Sequence, residues 1–344
     1  MDMTTNYLGM QLVNPLVVGS SPMTADLDMV KRLEDAGAAA VVMHSLFEEQ
    51  IRRDSRSSVY YREMYADSYR EEPGLMPTPE EFLLGPDEYL EQIRRIRQAV
   101  KIPVIASING ITAGGWAEYA KSIVQAGAHA IELNAYRLAT DLTITGNQLE
   151  DDTIAAIKSV RLQVSIPMAV KLCPFYSSLP NFALKLANLG IQGLVLFNRF
   201  YQPDIDPETR AVLPRVTISD STELLLRLRW IAILDGRLDV DLACSGGVHT
   251  HLDVIKAIMA GANVTQMVSV LLKHGPKHLT RIRTDLEQWL EAHDFPSIGK
   301  LHRSMRAFEG VDPQARERAN YMRVLQSWHY NESTQYSTET KFAR

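Results

Sequence analysis

Lys171 is the residue of this chain with the most obvious chemistry, because it interrupts an otherwise apolar run, Pro167-Met168-Ala169-Val170-Lys171-Leu172-Cys173. Side chains alternate across a strand, so Ala169, Lys171 and Cys173 share one side and Met168, Val170 and Leu172 the other. A lysine on the inner side can serve as a cation beside an anionic ring or substrate, or as a Schiff-base nucleophile if desolvation favours its free amine. It can equally reach a buried carboxylate such as Glu132. A second group of interest lies in residues 239–276, where the apolar run 241–245 ends in Ser245-Gly246-Gly247 and Ser269 stands just beyond the next apolar run. Backbone N–H groups and hydroxyls at such a strand-to-helix turn could hold a phosphate. The same Gly-Gly pair also fits a plain tight turn with a surface serine.

These residues need a scaffold, and a recurring pattern supplies it. Helix, glycine and apolar strand succeed one another in EDAGAAAVVMHS, VQAGAHAIELNA, ANLGIQGLVLFN and MAGANVTQMVS, while KIPVIASINGI and SIPMAVKLCP each hold a strand announced by Ile-Pro. The strands predicted are 16–19, 39–43, 103–107, 130–134, 168–172, 193–197, 241–245 and 264–268. Eight short buried strands alternating with helices favour an α/β (β/α)8 TIM barrel over an open sheet. Residues 3–14, turning at Leu8-Gly9, form an N-terminal hairpin that plugs the bottom. Asp26 and Thr250 are suited to cap helices; the second helix buries Leu252, Val254, Ile255, Ile258 and Met259 and stops at Gly261.

In a barrel the C-terminal strand ends face the active site. They carry Gly19 and Ser20, His44 and Ser45, Ser107 and Asn109, Glu132 and Asn134, Lys171 and Cys173, Asn198, Ser245 to Gly247, and Ser269. Amides and hydroxyls pair with both donors and acceptors of a heteroaromatic ring, and Gly-Gly suits a phosphate tail. A flavin mononucleotide (FMN) site has this composition.

The 344 residues fit one barrel domain, 1–310, followed by a polar tail, 311–344, whose last dozen residues are expected to be mobile. Residues 48–86 are too long for an ordinary loop. They carry Arg52, Arg53, Arg56, Arg62 and Arg70, with Tyr61, Tyr65 and Tyr69 at helical spacing, and read as a lid, a subunit contact or a solvated excursion. A net charge of −5 argues against a nucleic-acid partner. No apolar run approaches the roughly 18 residues of a membrane span. Two cysteines, Cys173 and Cys244, make no disulfide framework, and MDMTTNYLGM shows no secretory pattern, so a cytoplasmic location is expected. No metal site stands out, and His249 and His251 are expected to face solvent.

Over roughly residues 4–308 the chain resembles the class 1 dihydroorotate dehydrogenases, FMN-dependent (β/α)8 barrels, as a divergent branch. NPLVVGSS, IASINGIT, ELN, VKLCPF, SGGVHT, GANVTQMVSVLLKHGP and FPSIGKLH carry the likeness. The resemblance implies flavin contacts from Gly19, Ser20, Ser45, Asn134, Lys171, Asn198, Gly246, Gly247 and Ser269, with Ser245 beside them, and a homodimer. The departures fall on the chemistry. Arg137 stands where the family has its Cys or Ser base, and an arginine cannot accept a proton. His44 replaces an active-site lysine, LPRVTISDST replaces a glycine-rich phosphate loop, and Val268 replaces the glycine before Ser269. His44 is then the best proton acceptor, with Tyr136 and Tyr176 as alternatives, and Arg137 and Arg199 could grip a substrate carboxylate. Three functions follow: an FMN-dependent oxidoreductase acting on dihydroorotate or a related small carboxylate, a Lys171 Schiff-base lyase, and a barrel that has lost catalysis and serves as a binding or scaffold subunit.

Overall fold

Eight parallel strands, neighbours in chain order around the ring, close into a barrel in a computed structural model. It describes residues 1–48, 50–51, 85–110, 116–135, 137, 139–199, 204–213, 217–305 and 312–327. The strands are β1 (Thr5–Tyr7), β2 (Met10–Leu12), β3 (Leu16–Val18), β4 (Ala40–Phe47), β5 (Val104–Asn109), β6 (Ala130–Asn134), β7 (Met168–Leu172), β8 (Gly193–Leu196), β9 (Asp204–Asp206), β10 (Ala211–Leu213), β11 (Asp241–Ser245) and β12 (Val264–Met267). The described helices are α1 (Leu27–Asp35), α2 (Pro86–Ala99), α3 (Trp116–Gln125), α4 (Gly146–Arg161), α5 (Leu179–Ala187), α6 (Leu224–Leu234), α7 (His251–Ala260), α8 (Ser269–His274), α9 (Lys277–Ala292), α10 (Ile298–Leu301) and α11 (Pro313–Gln326). The (β/α)8 barrel expected from the recurring pattern is therefore the fold.

The bottom of the barrel is closed from within by the β1–β2 hairpin. Its two turn residues, Leu8 and Gly9, both have positive φ, 53° and 71°, the geometry of a two-residue hairpin that follows strand twist. Leucine is disfavoured there by about 1–2 kcal/mol, and burial offsets the cost. The Leu8 backbone N–H donates to Asp241 Oδ2 at 2.7 Å, and its side chain fills space that a Cβ on Gly193 would take. Tyr7, Leu8 and Leu12 pack with Val17, Val42, Ile105, Ala169, Val195, Ala243 and Val264 into an apolar floor inside the barrel. A larger apolar layer joins the outer strand faces to the helices.

Several details differ from the sequence expectations. Strand β4 runs on to Phe47 instead of ending at Met43, because its pairing with β5 shifts between Val42 and Ser45 and then resumes. Such a bulge re-aims side chains near a barrel rim. Leu252 is exposed and Met259 only half-buried; the buried face of α7 is centred on Val254, Ile255 and Ile258. An antiparallel pair, β9–β10, follows β8, its turn held by the Asp206 carboxylate accepting from Glu208 and Thr209. Both expected caps form: Asp26 accepts from the Met29 N–H, and Thr250 makes a capping box with Asp253.

The chain divides into a compact unit, Met1–Arg306, and a second, Ala307–Arg344. Within the expected polar tail lies helix α11, started by Asp312 as N-cap and by proline at its first position. The Arg- and Tyr-rich reading of the insertion falls on residues 52–84, outside the described residues. No helix among the described residues is long and apolar enough to cross a membrane.

Candidate active site

Directly above the apolar floor, three barrel strands turn a polar side chain inward. Lys171 on β7 donates through Nζ to Glu132 Oε1 on β6 and to Gln266 Oε1 on β12, each at 3.3 Å, and Gln266 Nε2 donates to Glu132 Oε2 at 2.5 Å. The three close a ring in the barrel core, and all are at least 95% buried. An ammonium has three N–H groups, so one remains after these two bonds. Salt-bridged to Glu132, the ammonium has no lone pair with which to attack a carbonyl, which disfavours imine chemistry. Sequence reasoning named Lys171 and Glu132 but missed Gln266. The signal was present: Val264 and Gln266 alternate in phase on the short strand Val264-Thr265-Gln266-Met267, just as Ala169 and Lys171 do on β7.

Around this ring the mouth carries a continuous row of hydrogen bonds. Ser20 and Ser45 hydroxyls share one at 3.1 Å, and Ser45 and Ser107 share another at 2.8 Å. Asn134 Nδ2 donates to Ser107 Oγ and to the Ile108 carbonyl, both at 3.0 Å, and Asn198 Nδ2 donates to Asn134 Oδ1 at 3.5 Å. Ser20, Ser45, Asn134, Lys171 and Asn198 are thus brought together. The bulge in β4 is what sets Ser45 level with Ser107. At that level Tyr89 on α2 donates its hydroxyl proton to the Ser107 carbonyl and accepts from the Ser107 N–H. His44 packs edge-on to the Tyr89 ring, 5.1 Å between centroids. Its Nδ1 is buried with no hydrogen-bond partner, and burial lowers its pKa to about 4. Tyr89 was not singled out from the sequence, since a buried tyrosine on a helix looks like ordinary core.

The other side of the mouth is built from the turns after β8, β11 and β12. A Cβ on Gly246 would stand 2.9 Å from Arg227 Nη2, and one on Gly247 would land on the Leu224 backbone nitrogen. A Cβ on Gly19 would stand 2.8 Å from Val268 Cγ2. At all three glycines the space is taken by the chain itself. Buried Arg227 donates to the Ser245 carbonyl at 3.0 Å and to the Glu223 carbonyl at 2.7 Å. Ser219 sits over the turn: its N–H donates to Ser269 Oγ at 3.2 Å, and its hydroxyl lies 3.1 Å from His249 Nε2 and 3.5 Å from the Gly247 nitrogen. His249 therefore makes a protein contact in place of the expected solvent-facing role.

Two carboxylates hold the backbone that leads into the elements beside this turn. Asp220 accepts from the Thr222 N–H at the start of the short 3-10 turn Ser221–Glu223. Asp253 accepts from the His249 and Thr250 N–H groups and from the Ser221 hydroxyl. The strand-end amides and hydroxyls fit a flavin ring; on the Ser245–Gly247 and Ser269 side, the Ser269 hydroxyl accepts from Ser219 and keeps its own proton to donate, and Arg199 Nε is buried with no partner.

The remaining expected residues lie apart from the row. Arg137 pairs with Asp152 on α4 at 3.1 Å, and Arg199 gives its two terminal nitrogens to Glu223 and the Thr217 carbonyl while its Nε is buried with no partner. Tyr176 stacks on Phe182 at 4.4 Å, and burial raises its hydroxyl well above the usual range; Tyr136 lies outside the described residues. Cys173 and Cys244 are buried free thiols, both pushed up by desolvation.

Comparison with known proteins places this geometry in context. Residues 83–290 match the family model described as dihydroorotate dehydrogenase. Relatives named dihydroorotate dehydrogenase B (NAD(+)), catalytic subunit, include one from Thermoplasma acidophilum, 27% identical over 306 residues, covering 86% of this chain and 96% of the relative. Another, from Methanocaldococcus jannaschii, is 28% identical over 280 residues, covering 79% of this chain and 88% of the relative.

Proposed function

This chain belongs to the dihydroorotate dehydrogenase family, and from that premise we propose that it is a flavin-dependent oxidoreductase acting on dihydroorotate or a related small carboxylate. A flavin ring would supply the hydride acceptor. The observation that carries the reading is the Ser20–Ser45–Ser107–Asn134–Asn198 row around a buried ammonium with one donor to spare. Flat heteroaromatic rings with carbonyl and ring-nitrogen acceptors suit such a surface. In this reading Gly19, Gly246 and Gly247 would contact the flavin through their backbone and Ser269 through its hydroxyl.

The proton is the harder part of the reaction. Arg137 is held by Asp152 and has no acceptor to offer. His44 has a free Nδ1 and stands neutral at pH 7, so it can accept a proton, but burial makes it a weak base. We assign it the proton-accepting role on that geometry, with Lys171 as the cation facing the ring. A homodimer belongs to the same reading, and sedimentation of the full chain would read it.

A visible absorption spectrum of the full chain, as purified and again after incubation with flavin, tests the function. Flavin bands that bleach on anaerobic addition of dihydroorotate are expected. Bands that persist would retire that substrate and keep the cofactor. A chain that takes up no flavin at all would overturn the reading and leave a binding or scaffold role.

A further inference from the structure

We propose that Tyr89 is a positioning residue for this site: its buried hydroxyl, set into the sheet at Ser107, holds the β4 bulge and with it the hydroxyl row that faces the flavin ring. The inference rests on the flavin reading above. At the bulge β4 takes three steps, from Val42 to Ser45, while β5 takes two, from Ile105 to Ser107. A register shift of this kind disrupts the ladder, and buried backbone groups then need another partner. At Ser107 one phenol oxygen serves both groups: it accepts from the N–H at 2.8 Å and donates to the carbonyl at 2.9 Å. A side chain thus stands where a neighbouring strand would ordinarily bond. Burial raises the Tyr89 pKa well above its ordinary value, so the hydroxyl keeps the proton that it donates.

Ser107 is also the residue on which the row turns. Its hydroxyl meets Ser45 at 2.8 Å and accepts from Asn134 at 3.0 Å, and through these two the row reaches Ser20 and Asn198. A shift of the Ser107 backbone would therefore move both arms. Tyr89 touches the other strand as well, since His44, on the bulged stretch of β4, packs against its ring. The phenol is in turn fixed by its helix. Gln92, one turn on, donates to the Ala25 carbonyl at 2.9 Å, and Tyr119 on α3 donates to the Pro86 carbonyl at the start of α2. A phenylalanine would fill nearly the same volume of core, so what the tyrosine adds is the clamp on Ser107.

Tyr89→Phe removes the clamp and keeps the ring. Tyr119→Phe, which deletes a bond to the first turn of the same helix and lies outside the row, is the control. Hydrogen exchange of the full chain reads the clamp without any flavin. The Ser107 amide should be protected in the parent chain and in Tyr119→Phe, and should exchange about tenfold faster in Tyr89→Phe. Titration with FMN, followed by quenching of flavin fluorescence, reads the site. Tyr89→Phe should bind FMN about tenfold more weakly and shift the visible bands of the bound flavin, while Tyr119→Phe should match the parent in both. Faster exchange with unchanged affinity and bands would overturn the inference and leave the flavin reading intact, as would equal weakening by Tyr119→Phe. A Ser107 amide unprotected in the parent chain would overturn it without recourse to any variant. A parent chain that takes up no FMN would overturn both the inference and the reading beneath it.

Discussion

The two halves of the barrel mouth are made from the same materials and end in opposite states. Around β3 to β7, serines and asparagines form an open row, and Lys171 keeps a donor after bonding Glu132 and Gln266. Around β8, β11 and β12, glycines and serines face one another, Ser219 closes over Ser269, Gly247 and His249, and Asp253 holds the His249 and Thr250 N–H groups. A strand-end serine or glycine is therefore no guide to ligand binding by itself. What decides is whether the rest of the chain has consumed its donors and its space. The sequence change behind the difference is local: LPRVTISDST brings Ser219 onto the turns that carry Gly247 and Ser269.

The largest effect expected from breaking this contrast lies under the open half. Lys171→Met leaves Glu132 buried and without its cation, which costs about 3–5 kcal/mol. Replacing the partner as well, Lys171→Met/Glu132→Leu, removes the stranded charge and should recover much of that loss, because a buried ion pair is often no better than an apolar pair of similar volume. Urea unfolding of the two variants against the parent chain measures both numbers. A loss under about 1 kcal/mol for Lys171→Met, the size of an exposed pair, would mean that water reaches the ring of three and that the open half lacks a dry floor.

Acid stability separates the halves next. Burial holds His44 at about 4, below its ordinary value, so between pH 6.5 and 4 the unfolded chain binds a proton there that the folded chain refuses. The contribution is fully present above about pH 6.5 and is lost as pH falls toward 4, amounting to about 3 kcal/mol. His44→Gln should flatten that part of the stability curve. His249, in the closed half, is also lowered by burial, but Asp253 and Asp220 pull the other way. His249→Gln should therefore change the acid slope less than His44→Gln, and the reverse order would break the comparison.

The barrel was legible because its signals are repetitive: eight apolar runs, glycines after helices, and Ile-Pro before strands each report one local decision. Lys171 was legible because one charge in an apolar strand has few innocent explanations. Gln266 carries the same signal more weakly, since an amide in a strand is easily taken as surface. The β4 bulge could not be read, because pairing register depends on two strands at once and on Tyr89 arriving from α2 to serve Ser107. The contacts of Ser219 were half legible. The sequence showed that glycine-rich backbone was missing from 213–222, but only the fold brings Ser219 onto Gly247, His249 and Ser269.

The smallest effect expected is also the most discriminating between the halves. Ser219→Ala deletes a buried hydroxyl that meets His249 and Gly247, and should cost about 1 kcal/mol. The change also leaves the Gly247 N–H without that partner, so inorganic phosphate should raise the melting temperature of this variant more than that of the parent chain. Ser45→Ala, in the open half, deletes the links to Ser20 and Ser107, but Ser107 keeps its bond from Asn134. Its cost should be similar or smaller, roughly 0.5–1 kcal/mol, and phosphate should do nothing for it. If phosphate stabilised both variants alike, the ion would be acting on the surface at large. If it stabilised only Ser219→Ala, the closed half would be shown to hold a phosphate site covered by one hydroxyl.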